Sequence, residues 1–369
     1  MSQRVIQNLV QKVAAPLLAV AMWATPATAD TFAPEDYIGL VEALTDKIVI
    51  PAYERFAIET SVFSETLKSF CGQPTTVAAE TVTRRFHDTM DAWAQARPIL
   101  LGPVLNAPGP ARFQFWPDKR GTGQRQLRLI LTTKNTRVLT AQTLAAKSVA
   151  LGDLQALEYV LFDDPQTTLL NDPFRCAYAN AIADLQRSRA ALLLQDWTKP
   201  AGFRDQVIGS ANGTEAFFDE REAASAFLNS VIGTLEIVRL QKLDRPMGLT
   251  VESARRSRVE SRRSGRSFRN ITLNLETAHA FFTVPGGINS LLEKLPGNDN
   301  AQRVEKLFTD IATDLENFDT PLSTSVEDES SRPQLEALLT KLRTLQSLIQ
   351  EHVAADLALV PGFNATDGD

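Results

Sequence analysis

Apolar side chains recur at intervals of three and four residues along nearly the whole chain beyond residue 30. In the first such stretch they stand at Ile38, Val41, Leu44 and Ile48. This spacing places apolar side chains on one face of an α-helix, whereas a half-buried strand would alternate apolar and polar residues. Alternation is almost absent, and its best example, Leu127–Thr133, is too weak to predict a strand. The chain is therefore predicted to be all-α.

The helical pattern forms two series separated by Lys199–Gly202, a break that contains proline and glycine. The first helix, residues 34–70, is expected to be split near Pro51, because proline lacks a backbone donor. The other predicted helices cover residues 76–96, 136–162, 174–197, 214–244, 250–283, 287–295, 299–317 and 331–356. Two series of about four helices predict two helical-bundle domains, residues 30–199 and 200–369. No repeat of fixed period indicates a duplication.

Residues 97–121 interrupt the helical pattern. They contain glycines and five prolines, at positions 98, 103, 108, 110 and 117. Regular helix cannot run through so many prolines, so a long loop or a set of short turns is expected. Ordered loops of this length are commonly functional.

The N-terminus has the pattern of an export signal. Arg4 and Lys12 provide positive charge, Val13–Trp23 form a short apolar run, and Ala27–Ala29 offer a small-residue cleavage site. The run is too short to span a bilayer, and no cysteine stands near the cleavage point for a lipid anchor. We therefore expect residues 1–29 to be a cleavable signal peptide and the mature chain to begin at Asp30 in the periplasm or cell envelope.

The chain is acidic. Its formal net charge is −6, and removal of the signal, which holds two basic and no acidic residues, leaves 36 basic against 44 acidic residues, or −8. This balance argues against general nucleic-acid binding, which depends on neutralising phosphates. No later segment approaches 18 uninterrupted apolar residues, so no integral membrane segment is predicted in the mature chain.

Two segments together resemble the imelysin family of bacterial envelope proteins, which are also classed as M75 peptidases and linked to iron uptake. They are Gly152-Asp-Leu-Gln-Ala-Leu-Glu-Tyr-Val-Leu-Phe162 and Arg112-Phe-Gln-Phe-Trp-Pro-Asp-Lys-Arg-Gly121. The resemblance implies two four-helix-bundle-like domains. It also aligns the family's G-x-H-x-x-E helix motif with Asp153, Gln155 and Glu158, so that only the glutamate is kept.

The motif positions suggest a ligand or metal site. Gln155 and Glu158 are three residues apart and share one face of a helix. In the family, a histidine and a carboxylate at this spacing could bind a transition metal, but a glutamine amide is a much poorer donor than imidazole. Glu158 is accordingly a candidate metal ligand, with an iron ion as the cofactor that the resemblance implies. The alternative is a buried carboxylate paired with an arginine.

An arginine run is the second candidate. Its members recur at intervals of three or four residues, the spacing of one helix face, and are Arg255, Arg258, Arg262, Arg266 and Arg269. Such runs are often solvated faces, but arginine suits bidentate contacts with carboxylate or phosphate. Glu260–Phe268 also resembles the family's second-domain signature, which implies that Glu260, Arg263 and Ser264 face a cleft between the domains. A partnership of Glu158 with one of these arginines is a specific hypothesis.

The loop after Trp116 follows the family pattern as well. Asp118, Lys119 and Arg120 are expected either to line the cleft or to lock the loop through ion pairs. Trp116 is expected to cover part of the core.

The two cysteines, Cys71 and Cys176, lie 105 residues apart. An exported chain with two cysteines invites pairing, and bridging so long a loop contributes roughly 4–5 kcal/mol in the chain-entropy model. The sequence contexts of both cysteines resemble those of the family, which favours a disulfide over two buried free thiols.

The three histidines give little indication of catalysis. His87 and Asp91 have a possible metal-ligand spacing, although aromatic neighbours make a position at the core boundary the favoured interpretation, and His279 and His352 are expected near the surface. No H-E-x-x-H zinc motif, G-x-S-x-G nucleophile motif or P-loop occurs.

The sequence therefore favours a non-enzymatic periplasmic binding protein that holds an iron species or a small anionic ligand between two helical bundles. The first alternative is a structural module that contacts another envelope protein. The second is an M75-type metallopeptidase, which would need about three protein ligands around its metal.

Overall fold

The computed structural model describes residues 32–163 and 169–362. The predicted signal peptide lies outside the described residues. Every regular element in these two ranges is helical, which confirms the all-α prediction. The first half contains α1 (Pro34–Leu44), a π-helical turn (Thr45–Val49), α2 (Ile50–Gly72), α3 (Thr76–Ala96), α4 (Thr122–Thr133), α5 (Ala141–Ala145), α6 (Leu154–Phe162) and α7 (Pro173–Thr198).

The second half repeats this mixture of long and short helices. Its α-helices are α8 (Phe203–Ile208), α9 (Glu220–Glu236), α10 (Arg245–Met247), α11 (Ser267–Thr283), α12 (Ile288–Leu292), α13 (Asn300–Glu316), α14 (Leu322–Ser325), α15 (Arg332–Ser347) and α16 (Ala354–Asp356). Two π-helical segments, Ile237–Asp244 and Leu348–Val353, continue α9 and α15.

Polar residues fix where several helices begin. The side chains of Thr75, Asp153, Asp172 and Asp219 accept backbone N–H groups in the first turns of α3, α6, α7 and α9 respectively. These N-caps satisfy donors that have no partner within the helix. Pro173 stands at the first position of α7, where its missing donor costs nothing.

The first predicted helix is interrupted near Pro51, as expected, by the π-helical turn Thr45–Val49, and Pro51 lies in the first turn of α2. Two other helix predictions differ from the structure. The predicted helix of residues 136–162 consists of short turns followed by α6. The predicted helix of residues 250–283 begins only at Ser267, so the prediction of a helical arginine face is wrong for residues 250–266.

The first half is held together by α2, α3 and α7, which pack side by side. The disulfide Cys71–Cys176 joins α2 to α7 with a Cα–Cα distance of 5.7 Å and so confirms the predicted pairing. Residues 97–121 form only two short 3₁₀ turns, Gly102–Leu105 and Gly109–Arg112, as their prolines predict.

The second half is built around α9, α11, α13 and α15. Helix α1 packs against α9, and the Tyr37 hydroxyl donates to the Leu357 carbonyl at 2.9 Å. An ion pair between Asp36 and Lys294 adds a contact of α1 with the second half. The boundary of the two domains at residue 200 stays a prediction.

The two halves meet where α3 packs on α11. Asn274 donates to the Ala94 carbonyl at 2.6 Å, and Thr277 donates to the Gln95 carbonyl at 3.0 Å. These contacts place the middle of α11 against the first half, and the ion pair of Arg266 with Asp91 does the same for the residue before its start.

One described helical run, Glu220–Met247, has the length and composition of a membrane span, and 67% of its most apolar window is buried inside the molecule. A buried core helix meets the same criteria. The absence of a membrane segment from the mature chain stays a prediction.

Candidate functional site

A cleft of about 380 Å³ lies between the two halves. One wall is formed by the loop before α4, by the start of α4 and by one face of α6. The other wall is formed by Arg245 and by residues 257–259 and 261–263, which precede α11. The predicted site residues Asp118, Asp153, Gln155, Glu158 and Arg263 contribute to these walls, together with Lys119 of the loop and Arg258 and Arg262 of the arginine run.

The loop wall is anchored in the core of the first half. Phe113 is fully buried and packs against Phe56 and Trp93. The indole N–H of Trp93 donates to Gln114 Oε1 at 2.9 Å, and the Phe113 carbonyl accepts the amide of Leu154 at 2.8 Å. The loop is therefore tied to the first residue of α6, and its shape is set by buried contacts.

Asp153 is a structural residue of this wall. Its side chain is fully buried, Oδ1 accepts the Ala156 amide at 2.6 Å, and Oδ2 accepts the Phe115 amide. One carboxylate thus caps α6 and ties the loop to it. Burial raises the pKa of Asp153 to about 7, although its backbone hydrogen bonds oppose that rise.

The close packing expected of a glycine in this motif occurs one residue earlier, at Gly152. A Cβ atom at this position would lie 2.8 Å from Leu185 Cδ2. The Gly152 carbonyl also accepts the Gln186 side-chain amide at 2.5 Å. A larger residue here would need Leu185 to shift, so glycine suits the close approach of α7.

Glu158 and Gln155 lie on the same face of α6, as their spacing predicts. Glu158 is 3% exposed, and its Oε1 accepts both the Ser264 amide at 2.9 Å and the Ser264 hydroxyl at 2.8 Å. Burial raises the pKa of the Glu158 carboxyl, whereas these hydrogen bonds and the Arg263 charge lower it. Gln155 Oε1 is buried and has no hydrogen-bond partner among the described residues.

The opposite wall is a tight turn of unusual backbone geometry. Ser261 has φ of +47°, in the left-handed region that non-glycine residues rarely adopt. The turn is held by the Arg266 amide, which donates to the Ser261 carbonyl at 3.1 Å, and by Asn270, which donates to the Ser261 hydroxyl at 3.1 Å. These bonds stabilise a conformation that directs Arg262, Arg263 and Ser264 towards α6.

Arg263 joins the two walls. Its Nε donates to Asp163 Oδ1 at 2.5 Å, and its guanidinium lies 4.5 Å from the centroid of the Tyr159 ring. The predicted pairing of Glu158 with an arginine does not occur among the described residues, because Ser264 occupies Glu158 Oε1 and Arg263 pairs with Asp163. Arg263 NH2 is buried without a hydrogen-bond partner in these residues.

Arg262 also lines the cleft, although nothing in the sequence distinguishes its role from that of Arg263. It lines the cleft half-buried, and no hydrogen bond or ion pair joins it to the described part of the chain. Burial and the neighbouring Arg263 charge lower the pKa of its guanidinium. The family pattern indicated Arg263, and no signal in the sequence separated the two adjacent arginines.

Glu260 does not line the cleft but lies behind it. Its Oε2 accepts Lys242 Nζ at 2.6 Å, and both side chains are almost fully buried. Asn274 Oδ1 accepts the same ammonium group at 2.7 Å. Burial lowers the pKa of Lys242, and the nearby Glu260 charge opposes this. The sequence does not predict the role of Lys242, because the apolar spacing around it gives no indication of a buried charged partner.

The loop residues after Trp116 divide into separate roles. Asp118 accepts the Thr122 amide at 2.9 Å and the Gln124 amide at 3.1 Å, so it locks the loop by backbone hydrogen bonds. Lys119 and Trp116 line the cleft. Arg120 is exposed and is not among the lining residues.

The histidines lie away from the cleft walls. His87 is half-buried beside Arg266, and Asp91 pairs with Arg266 and with Arg269. His279 pairs with Glu305, and His352 is exposed. His87 and Asp91 therefore take part in the contact between α3 and the start of α11.

A bare iron ion fits the cleft poorly. Within the described ranges no group of three or more His, Cys, Asp or Glu residues is placed to hold a metal ion. Glu158 already accepts two hydrogen bonds through one oxygen, and Gln155 offers only a weak amide donor to a metal. The donor set does not suit a tightly held cation.

A sequence model of the family described as Imelysin (peptidase M75) matches residues 49–349. The fold is similar to that of an imelysin-like protein from Psychrobacter arcticum 273-4, with a TM-score of 0.77 and 19% identity, covering 90% of this chain and 98% of that one. It is also similar to a protein named as an iron-regulated protein A precursor from Parabacteroides distasonis ATCC 8503, with a TM-score of 0.74 and 12% identity, covering 88% and 96%. No curated protein shows significant similarity to the chain.

Proposed function

The chain belongs to the imelysin family, and on this premise we propose that it is an exported, non-enzymatic envelope protein that binds a small ligand between its two helical halves. The ligand is an iron species or another small anionic molecule, and the role is in iron uptake. The observation that carries this proposal is the cleft of about 380 Å³, walled by α6 on one side and by the turn before α11 on the other. Its volume lies within the range of small-molecule sites.

Buried polar atoms support a binding role. Gln155 Oε1 and Arg263 NH2 both belong to cleft-lining residues and lack partners among the described residues. A buried polar atom without a partner costs free energy, which a ligand can recover by supplying the missing hydrogen bond.

The association with iron rests on relatives. The similar Parabacteroides protein is named as iron-regulated, and its name also describes a precursor. Export is further supported by the charge and apolar pattern of residues 1–29 and by the disulfide Cys71–Cys176, which suits an oxidising compartment.

Hydrolysis has less support than binding. A catalytic metal usually has about three protein ligands and an open position for water. The motif histidine is replaced by Gln155, and the described carboxylates near it accept protein hydrogen bonds.

The test is calorimetric titration of the chelator-stripped mature chain, residues 30–369, with ferrous iron under anaerobic conditions, zinc and ferric citrate. We expect micromolar or tighter binding of an iron species that is weakened in Gln155→Ala. Arg187→Gln, an exposed change on α7, serves as the control. If none of the three probes binds, the role in iron uptake fails. If free citrate also fails to bind, the ligand-binding proposal fails, and a module that contacts another envelope protein becomes the favoured function.

A further inference from the structure

The cleft has an excess of positive charge although the whole chain is acidic. Its basic lining residues come from both halves and are Lys119, Arg245, Arg258, Arg262 and Arg263. The acidic lining residues number three, namely Asp118, Asp153 and Glu158. The excess would attract an anion and repel a free cation.

The three acidic side chains are already engaged by protein donors. Asp118 and Asp153 each accept two backbone amides, and Glu158 accepts the amide and hydroxyl of Ser264. Their negative charge is therefore partly offset by oriented N–H and O–H groups. Little of it remains available to hold a cation at the cleft surface.

The cleft arginines are less fully engaged. Arg263 pairs with Asp163, and Arg258 donates to the Arg245 carbonyl at 3.3 Å. Arg262 has no hydrogen bond or ion pair to any described residue. Since Arg262 is half-buried on a turn fixed by Ser261 and Asn270, its guanidinium is held near the ligand space without a direct ion pair, although the charges of Glu158 and Asp163 act on it.

The orphaned atoms indicate what else the ligand carries. Arg263 NH2 is a donor and requires an acceptor, such as a carboxylate oxygen. Gln155 Oε1 is an acceptor and requires a donor, such as a hydroxyl group. A guanidinium and an amide oxygen on facing walls therefore fit a molecule that carries both groups.

We infer that the cleft recognises a small hydroxylated polycarboxylate, with its carboxylates bound by Arg262 and Arg263 and its hydroxyl bound by Gln155. This inference rests on the proposed binding function and specifies the ligand. Molecules of this class also chelate ferric iron, so iron would enter the cleft as an anionic complex. Arginine suits this role because its planar donors match a carboxylate.

The experiment is calorimetric titration of the iron-free mature chain with citrate, with tricarballylate and with inorganic pyrophosphate. Tricarballylate has the three carboxylates of citrate without the hydroxyl. We expect citrate to bind more tightly than tricarballylate by about three- to tenfold, the range expected for one hydrogen bond. This preference should disappear in Gln155→Ala.

Arg262→Gln tests the charge contact. We expect it to weaken citrate binding by roughly tenfold or more while leaving the urea unfolding midpoint unchanged. Arg187→Gln should alter neither quantity. Citrate binding that is unaffected by Arg262→Gln, or tighter binding of pyrophosphate than of citrate, would overturn the inference.

The two proposals fail in different ways. If ferrous iron binds and citrate does not, the polycarboxylate inference is overturned and the binding function stands. If iron, zinc, ferric citrate and citrate all fail to bind the wild-type chain, both are overturned.

Discussion

Ser264 donates both its backbone amide and its hydroxyl to a single oxygen of Glu158, which lies 106 residues earlier in the chain. The family's motif glutamate is thus used to join the two halves at the floor of the cleft. Its role as an acceptor between the halves follows from these distances, whereas a metal-binding role stays a prediction.

Glu158→Gln should reduce the pH dependence of stability. Burial raises the folded-state pKa of Glu158 above its ordinary value of 4.5, so the folded protein holds this proton more tightly than the unfolded chain. Its contribution to stability is fully present below 4.5 and is lost as pH rises through the folded pKa. We expect the unfolding free energy of the wild type to fall more steeply with rising pH than that of Glu158→Gln.

Urea unfolding at several pH values between 4.5 and 8 measures this difference. Glutamine keeps an oxygen that can accept from Ser264, so the contact between the halves is preserved. Glu80→Gln, an exposed change on α3, is the control. Equal pH slopes for the wild type and Glu158→Gln would show that the carboxyl titrates as it does in the unfolded chain.

Asp153→Asn should lower the free energy of unfolding by about 1–3 kcal/mol. Both Asp153 oxygens accept backbone amides, and an asparagine NH2 group cannot accept one of them. Asp219→Asn is the matched control, because Asp219 caps α9 through one oxygen that asparagine retains. Denaturant titration should show a clear loss for the first variant and a change near zero for the second.

Lys242→Met should destabilise the protein by about 3–5 kcal/mol, because it leaves the Glu260 carboxylate buried without its cation. The double variant Lys242→Met/Glu260→Gln should recover much of this loss, since neither position then carries an uncompensated charge. A double-mutant cycle by urea unfolding measures the coupling. Strictly additive effects would contradict the pairing.

Cys71→Ser/Cys176→Ser should lower the unfolding free energy by roughly 4–5 kcal/mol, because the bridge closes a long loop in the unfolded chain. Circular dichroism should show the same helical content in both proteins at low denaturant concentration. A reductant should destabilise the wild type and leave the double variant unchanged. An equal response of both to reductant would point to an effect unrelated to the disulfide.

Much of the fold follows from local patterns in the sequence. The apolar spacing predicts α3, α7 and α13 to within a few residues, and the five prolines predict the irregular segment before α4. These features depend on residues that are close together along the chain, so they can be predicted from a single sequence.

The arginine run shows where local patterns fail. Its intervals match a helix, but residues 250–266 are held by distant partners. The Arg255 amide donates to the Pro246 carbonyl at 2.8 Å, the Arg256 amide donates to Glu327 at 3.1 Å, and Glu260 binds Lys242. Tertiary contacts therefore override the helical spacing.

The sequence predicts the candidate site in part. The motif positions on α6 and Arg263 line one cleft, and Ser264 contacts Glu158 without lining it. The different roles of Arg262 and Arg263 depend on the left-handed conformation of Ser261, which reverses the chain just before them. Nothing in the local sequence specifies that conformation.

The hydrogen bond from Tyr37 to the Leu357 carbonyl spans 320 residues and has a consequence for the order of folding. During synthesis the N-terminal part of the polypeptide appears first. Helix α1 is therefore available early, but this bond cannot form until almost all the remaining helices have been made. Contacts that are so distant in sequence form slowly, because a long loop must first be closed. Complete folding is thereby deferred until residue 357 is available, and a partly emerged polypeptide keeps an incomplete core.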